Sequence, residues 1–230
     1  MQFKRRVFSV ATCALTLLGV ATTASANIVG TGCVVSGNAG QIAPSSVAQF
    51  TSMCSGNISG GLYTFSAPDT LALNLPSGST PNTGAAMIAS LGGSLLTGAA
   101  AAAFSPATTG SAGGGGNSTL WWLHETNIVP GTYTVSLTHD DGIVLVNGST
   151  IVINSPNPTN AITNSATFTV LAGGTIDLFY DQCCSFPAVL TGAMPPEITA
   201  VVPEPASILL LGAVIVGSVT TIRRKRSSLS

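Results

Sequence analysis

The segment "GTYTVSLTHDDGIVLVNGSTIVIN", which runs from Gly131 to Asn154, decides the fold class. In its first part Tyr133, Val135 and Leu137 alternate with hydroxyl-bearing residues, the pattern of a half-buried β-strand. Two further β-rich runs follow, and Asn147-Gly148 between them is typical of a two-residue hairpin turn. The segment therefore predicts successive β-strands with a tight hairpin near its end.

Similar short runs rich in Thr, Val, Ile and aromatic residues occur through residues 27–202, separated by Gly, Pro, Asn and Ser. They include "GLYTFSA", "TLALNL", "TLWWLHETNI", "ATFTVLAGG" and "TIDLFYD". This pattern predicts an all-β sandwich or barrel, and the length suffices for one domain. Residues 84–117 differ, because small uncharged residues there predict a short helix or packed loop followed by a flexible Gly-rich linker.

The two ends of the chain carry export features. "MQFKRR", an apolar run and "ASA" at 24–26 form the three parts of a signal peptide, so we expect the mature chain to begin at Asn27. Near the other end, Pro203, Glu204 and Pro205 precede an uncharged run at 206–222 and a basic cluster. That run is just long enough to cross a bilayer, with the basic cluster on the cytoplasmic side.

This C-terminal arrangement, residues 203–230, resembles the PEP-CTERM sorting signal of Gram-negative bacteria. The resemblance implies recognition by an exosortase in the inner membrane and transient anchoring there. It also implies cleavage near the Pro-Glu-Pro and delivery to the cell surface or an extracellular polysaccharide matrix. A plain C-terminal membrane anchor is the alternative interpretation.

The charge distribution narrows the classes of ligand. All seven Lys and Arg residues lie within residues 4–6 and 223–226, so residues 27–202 contain acids and no Lys or Arg. Nucleic-acid binding depends mainly on Lys and Arg that neutralise phosphates, and the composition therefore excludes it for this part of the chain. Cations and neutral polar ligands remain.

Four cysteines remain after signal removal, and an exported protein is expected to oxidise them. Three pairings are possible, and we favour Cys33 with Cys54 and the vicinal pair Cys183 with Cys184. The alternative joins the C-terminal loop to the N-terminal segment. A zinc site is a weaker alternative, because only His124 and His139 could add nitrogen ligands.

Asp140 and Asp141 stand side by side in a chain with few charges, and adjacent carboxylates resist ionising together unless a cation or N–H donors lie nearby. The segment "GTYTVSLTHDDGIVLVNGSTIVIN" resembles the signature region of PA14-type domains, including flocculin-like surface lectins, over about residues 120–190. The resemblance implies an antiparallel β-sandwich in which adjacent aspartates bind Ca²⁺ and the ion binds sugar hydroxyls. By position in a later loop, Asp181 is the candidate third carboxylate and Gln182 a candidate ligand-binding residue.

The residues themselves leave alternatives open. "DDG" also suits a simple turn, because Asp tolerates left-handed backbone and caps N–H groups. His139 is a metal ligand, a general base or a structural residue. Trp121 and Trp122 take opposite faces of a strand, so one belongs to the core while the other, Trp122, is a candidate sugar-stacking platform.

Three classes of function follow from these patterns. The first is a non-catalytic surface module that binds glycan or matrix polysaccharide with Ca²⁺. The second is a structural matrix or surface protein with no discrete ligand site. The third, a glycoside hydrolase, is disfavoured because its two carboxylates must flank the scissile bond at about 5–9.5 Å, and sequence neighbours are poorly placed for that.

Overall fold

A computed structural model describes residues 27–36, 42–56, 61–76, 84–98, 117–183 and 187–196. The predicted signal peptide (1–26) and the predicted sorting signal (203–230), with Pro203, Glu204 and Pro205, lie outside the described residues. Within the described ranges, no helix is long and apolar enough to cross a membrane.

The described part is built mainly from β-strands, with two short helices. The strands are β1 (Asn27–Ser36), β2 (Tyr63–Pro68), β3 (Thr70–Leu75), β4 (Ser94–Thr97), β5 (Asn117–Glu125), β6 (Gly131–Asp140), β7 (Gly142–Asn147), β8 (Thr150–Ser155), β9 (Ile162–Val170), β10 (Ile176–Gln182) and β11 (Ala188–Ala193). The helices are α1 (Val47–Cys54) and α2 (Gly84–Leu91).

These strands form two antiparallel sheets. One has seven strands in the order β4-β2-β1-β5-β10-β7-β8, and the other has four in the order β3-β11-β6-β9. Strands from the first hundred residues and from residues 117–193 are hydrogen-bonded into the same sheets, for example β1 with β5 and β3 with β11. The prediction of an all-β antiparallel sandwich is confirmed.

The main core lies between the two sheets. Trp121 and Tyr180 from the seven-stranded sheet share one buried cluster with Leu137 and Leu190 from the four-stranded sheet. The Trp121 ring is fully buried, and its Nε1 donates to the Tyr63 hydroxyl over 2.9 Å, which satisfies two polar groups that water cannot reach. The interior is therefore held by apolar burial and by this aromatic hydrogen bond.

A second apolar cluster covers the outer face of the seven-stranded sheet. Phe50 on α1 packs there against Trp122, and Ser46 caps the N-terminus of the helix, its side chain accepting a hydrogen bond from the Gln49 N–H. Cys54 at the end of α1 forms a disulfide with Cys33 on β1. The predicted Cys33–Cys54 pairing is confirmed, and it fixes the helix to the sheet.

The predicted hairpin joins β7 and β8. Its two turn residues are Gly148 and Ser149, because Asn147 still pairs with Thr150 as the last residue of β7. Gly148 takes a φ of 60°, a left-handed conformation that glycine adopts at little steric cost. The turn therefore lies one residue later than the Asn-Gly dipeptide predicts.

The small-residue segment 84–117 is described in part. Its predicted short helix is α2, and β4 follows as an edge strand that the sequence pattern did not indicate. Residues 99–116, which include the predicted Gly-rich linker, lie outside the described residues.

Candidate functional site

The two adjacent aspartates lie where the chain passes from one sheet to the other. Asp140 ends β6 in the four-stranded sheet, where it pairs with Val189 of β11. Gly142 begins β7 in the seven-stranded sheet, where it pairs with Asp181 of β10. The Asp140–Asp141 peptide bond is cis, and the side chains are buried, with residue exposures of 7% and 5%.

Asp141 is hydrogen-bonded to the residue that follows β10. Its Oδ2 accepts a hydrogen bond from the Cys183 backbone N–H over 2.8 Å. Cys183 is itself disulfide-bonded, while Cys184, its predicted vicinal partner, lies outside the described residues. The junction between the sheets is therefore tied to a covalently constrained position.

Tyr180 contacts the backbone of the junction from the core between the two sheets. Its buried hydroxyl lies 2.7 Å from the Asp140 carbonyl oxygen and 2.7 Å from Gln182 Oε1. The Gln182 amide in turn donates to the Cys183 carbonyl over 3.2 Å. Gln182 was predicted as a ligand-binding residue, and the structure places it fully buried, with its amide engaged by the protein.

His139 is also fully buried and braces the same junction. Its Nδ1 lies 2.6 Å from the Asp141 carbonyl oxygen, and its Nε2 lies 2.6 Å from Asn164 Oδ1 on β9. Each ring nitrogen thus has a partner within the protein. Of the alternatives for His139, this geometry favours the structural one.

Asp181 is near the pair but on a different face. It alternates with Tyr180 along β10, so its side chain lies on the outer face of the seven-stranded sheet, between Leu120 of β5 and Gly142 of β7. It is fully buried, and neither carboxyl oxygen has a hydrogen-bond partner among the described residues. A buried carboxylate without a partner is costly when ionised.

In the absence of a cation, burial is the main cause of the raised pKa values of Asp140, Asp141 and Asp181. Desolvation raises the pKa of Asp140, and it raises the pKa of Asp141 to about 7, with the Asp140 charge adding to the latter effect. The two carboxyl groups lie within hydrogen-bonding reach of each other. Burial, and then the charge of Asp141, raise the pKa of Asp181 well above its ordinary range. The cluster therefore favours taking up a proton or another positive charge.

The structure does not gather the three predicted metal ligands into one chelating group. Among the described residues, no set of three or more His, Cys, Asp or Glu side chains is arranged to hold a metal ion. Asp140 and Asp141 lie together, while Asp181 approaches from the outer face of the sheet. A cation at the junction would therefore take its remaining oxygens from backbone carbonyls and water, ligands that Ca²⁺ accepts readily.

Trp122 belongs to a separate cluster on that outer face. Its Nε1 donates to Asp177 Oδ1 over 2.6 Å, and the same oxygen lies 2.6 Å from His124 Nδ1. Asp177 and Asp181 are four residues apart on β10, which separates them by about 13 Å. As predicted, Trp121 and Trp122 take opposite faces, with Trp121 in the core and Trp122 half-buried.

Sequence reasoning missed three residues of these clusters. Tyr180 and Asn164 support the junction, and Asp177 orients Trp122 and His124. The alternation in "TIDLFYD" already places Asp177 and Asp181 on one face of a strand and Tyr180 on the other. The partners of these residues come from strands distant in sequence, so no local pattern indicated them.

Solved structures similar to this chain include two PA14 domains. The PA14 sugar-binding domain from an RTX adhesin is 16% identical with a TM-score of 0.47, over 74% of this chain and 97% of that one. The PA14 domain of the antifreeze protein MpAFP is 14% identical with a TM-score of 0.46, over 72% of this chain and 78% of that one. A GH31 α-xylosidase from Xanthomonas citri is 8% identical with a TM-score of 0.35, over 77% of this chain and 16% of the enzyme. No family model matches the sequence, and no curated protein matches it.

Proposed function

We propose that this chain is an exported, non-catalytic module that binds carbohydrate of the cell surface or extracellular matrix, and that Ca²⁺ binds at the junction of β6 and β7. The observation that carries the proposal is the Asp140–Asp141 pair: two buried carboxyl groups within reach of each other, in a stretch with no Lys or Arg. A divalent cation neutralises such a pair, and this agrees with the resemblance of the sequence to PA14-type lectins.

The residues present fit a calcium ion in part. Asp140 and Asp141 would hold the ion, and backbone carbonyls and water would complete the six to eight oxygens it requires. When bound, Ca²⁺ supplies positive charge and further coordination positions that sugar hydroxyls can occupy. Asp181 would act mainly through its charge, because its side chain reaches the cluster from the other side of the β10 backbone.

Calorimetry and thermal unfolding test the cation. An ion that binds the folded state alone stabilises it by about 2.7 kcal/mol at one hundred times Kd, or roughly 5–10 °C in Tm for a domain of this size. Millimolar Ca²⁺ should produce this shift in the parent protein and in the control Asp177→Asn, which lies outside the cluster. The shift should disappear in Asp140→Asn/Asp141→Asn. Mg²⁺ should stabilise less, because it requires tighter octahedral geometry.

A glycan array, with Ca²⁺ and with chelator, tests the carbohydrate. Binding that depends on both aspartates supports the proposal. If Ca²⁺ binds while the array stays blank under both conditions, the second candidate is favoured: a structural matrix or surface protein with no discrete ligand site. The near-complete burial of Asp140 and Asp141 supports this second candidate.

The proposed route to the surface depends on the resemblance of residues 203–230 to a PEP-CTERM signal. We infer that an exosortase at the inner membrane processes this tail after the signal peptide has been removed. Protein released by a host that carries an exosortase should begin at Asn27 and end near Pro203, as intact-mass analysis can show. Recovery of released protein that extends to Ser230 contradicts this route.

A further inference from the structure

The outer face of the seven-stranded sheet is partly covered by α1 and partly accessible. Phe50 of α1 packs over one part of this face and contacts Trp122 there. In the same face, Val29 of β1 is 51% exposed and the side chain of His124 on β5 is 35% exposed. Val29 and His124 are direct partners across the two strands, and His124 also contacts the Trp122 ring. An accessible strip therefore borders the half-buried Trp122.

One carboxyl oxygen of Asp177 orients both neighbouring rings. Its Oδ1 accepts from the Trp122 Nε1–H over 2.6 Å and lies 2.6 Å from His124 Nδ1. An ionised carboxylate accepts hydrogen bonds and donates none, so Nδ1 of His124 carries the hydrogen of this bond. In a neutral imidazole, Nε2 is then the acceptor. Among the described residues this Nε2 has no hydrogen-bond partner, and it is available to a donor from a ligand.

The Trp122 ring is fixed by several neighbours. It is stacked on Phe179, with centroids 6.5 Å apart and planes 14° apart, and it is tilted against Phe50 and His124. Its N–H is already bonded to Asp177. Because the ring is held in one orientation, a ligand that packs against it loses little side-chain freedom on binding.

The groups around this ring favour an uncharged ligand that has both apolar and hydroxyl surfaces. No Lys or Arg occurs within residues 27–202 to bind an anion. Trp122 and Val29 offer apolar contact, while His124 Nε2 accepts a hydrogen bond and the partly exposed Thr31, opposite Trp122, adds a hydroxyl. A sugar ring presents a C–H face and hydroxyl groups, which match these two kinds of contact. A purely apolar ligand would instead remove water from Nε2 without replacing its hydrogen bond.

The strands that carry the cluster disfavour a peptide as the ligand. β1, β5 and β10 are interior strands of the seven-stranded sheet. Their backbone groups are paired with neighbouring strands, whereas extended peptides usually bind by adding a strand to a free sheet edge. Recognition at this face therefore depends on side chains.

We propose that Trp122 and His124 form a carbohydrate subsite that works without calcium, with Asp177 as the residue that positions both rings. The inference rests on the proposed carbohydrate binding and is independent of the proposed calcium ion. Asp177 lies about 13 Å along β10 from Asp181, the nearer of the two to the aspartate junction. The two sites can therefore be removed separately.

Tryptophan fluorescence tests whether the subsite is accessible. The chain has two tryptophans, and Trp121 is fully buried, so Trp122 should account for the emission that acrylamide quenches readily. The measurement uses the full-length chain in mild detergent with chelator. Trp122→Phe should remove the readily quenched fraction. An equal accessible fraction in the parent and in Trp122→Phe would overturn the proposal, because the ring would then be closed to a ligand.

An array of neutral oligosaccharides and polysaccharides, probed with the same material in chelator, tests the ligand. The parent and Asp140→Asn/Asp141→Asn should both bind, and Trp122→Ala should bind at least about tenfold more weakly, which corresponds to about 1.4 kcal/mol. The best-bound glycan should also protect Trp122 from acrylamide. Leu171→Ala, a highly exposed position after β9, is the control and should bind like the parent.

Two substitutions at His124 separate the roles of its nitrogens. His124→Asn keeps a side-chain N–H that can donate to Asp177 and removes the acceptor at the Nε2 position, so binding should weaken several-fold. His124→Gln places an amide oxygen near the Nε2 position and should retain more of the binding. Thermal unfolding of each variant verifies that the fold is kept, and a weaker binding by His124→Gln than by His124→Asn would contradict the acceptor role.

The array also distinguishes this inference from the proposed function. Binding that appears only with Ca²⁺ and requires Asp140 and Asp141 would leave the proposed function standing and overturn the subsite. Binding in chelator that persists in Trp122→Ala would likewise overturn the subsite. An array that is blank with and without Ca²⁺ would refute carbohydrate binding at both places.

Discussion

The backbone N–H of Cys183 donates to Asp141 Oδ2 over 2.8 Å, and this bond joins the end of β10 to the crossing between the two sheets. It offsets only part of the cost of burying the Asp141 carboxylate, because desolvation still raises the pKa of that group to about 7. A backbone hydrogen bond from Thr159 also lowers this pKa, but burial has the larger effect, so the Asp141 carboxyl holds its proton to a higher pH than an ordinary carboxyl does.

The first prediction concerns pH in the absence of calcium. A carboxyl whose folded pKa lies near 7 and whose unfolded pKa lies near 3.9 binds more protons when folded, so the contribution of Asp141 to stability is most favourable below about pH 4 and is lost as pH rises to about 7. About three pH units at about 1.4 kcal/mol each give a loss on the order of 4 kcal/mol from Asp141 alone. Urea unfolding in chelator across this range measures it.

Asp141→Asn is the matched variant for that measurement. It keeps an oxygen that can accept from the Cys183 N–H and removes the titrating charge. In chelator at pH 8 this variant should be more stable than the parent, and its pH dependence should be much flatter. A parent whose stability rises steadily between pH 4 and 7 would contradict the assignment.

The second prediction concerns Gly142, the residue after the aspartate pair. A Cβ at this position would lie 2.2 Å from the Pro156 carbonyl oxygen and 3.3 Å from the Ala43 Cβ. Because backbone must move to relieve the first contact, Gly142→Ala should destabilise by several kcal/mol and weaken any calcium binding. Gly148→Ala is the control: its Cβ meets nothing within 4 Å, so it should lose only about 1 kcal/mol, from its left-handed backbone. Comparable losses in the two variants would refute the steric argument.

The third prediction concerns the Cys33–Cys54 disulfide. It joins residues separated by 21 positions and fixes α1 to the seven-stranded sheet. Cys33→Ser/Cys54→Ser should lower the free energy of unfolding by roughly 3 kcal/mol, since it frees a loop of this length in the unfolded chain. Denaturant unfolding measures the loss, and non-reducing peptide maps should recover the bridge, together with the predicted Cys183–Cys184 bridge. Four free thiols in exported protein would contradict both.

The fourth prediction separates the neighbouring tryptophans. Trp121→Ala should destabilise by about 3–5 kcal/mol, because it empties a buried site and leaves the Tyr63 hydroxyl without its donor. Trp122→Ala should lose less, because that ring is half-buried on the outer face. If Trp122 stacks on sugar as the sequence suggests, its loss should instead reduce glycan-array binding. A larger stability loss at Trp122 than at Trp121 would be inconsistent with a core position for Trp121 and an outer-face position for Trp122.

Strands with regular alternation could be predicted from the sequence, while strands shaped by distant partners could not. β6 and β5 follow from "TYTVSLT" and "TLWWLHE". β1 does not follow from the sequence pattern because Gly30 and Gly32 interrupt it, although it is an interior strand of the larger sheet. A Cβ on either glycine would lie within 2.4 Å of an aromatic ring of β2, so the glycines reflect non-local packing.

The candidate site was predictable to a similar extent. Asp140 and Asp141 are conspicuous as the one adjacent pair of acids in an almost uncharged chain. That Asp181 approaches from the other face depends on the pairing of β10 with β5 and β7, which local sequence does not determine. Metal binding by these residues stays a prediction.

The position of β11 has a consequence for how the protein is made. This strand, at residues 188–193, lies between β3, at 70–75, and β6, so the smaller sheet lacks one of its two interior strands until nearly the whole domain is available. Such pairing between distant segments gives a high contact order, and domains of this kind fold in milliseconds to seconds rather than microseconds. A chain still emerging from the ribosome thus has no complete sandwich to form until residues 188–193 are available to pair with β3 and β6.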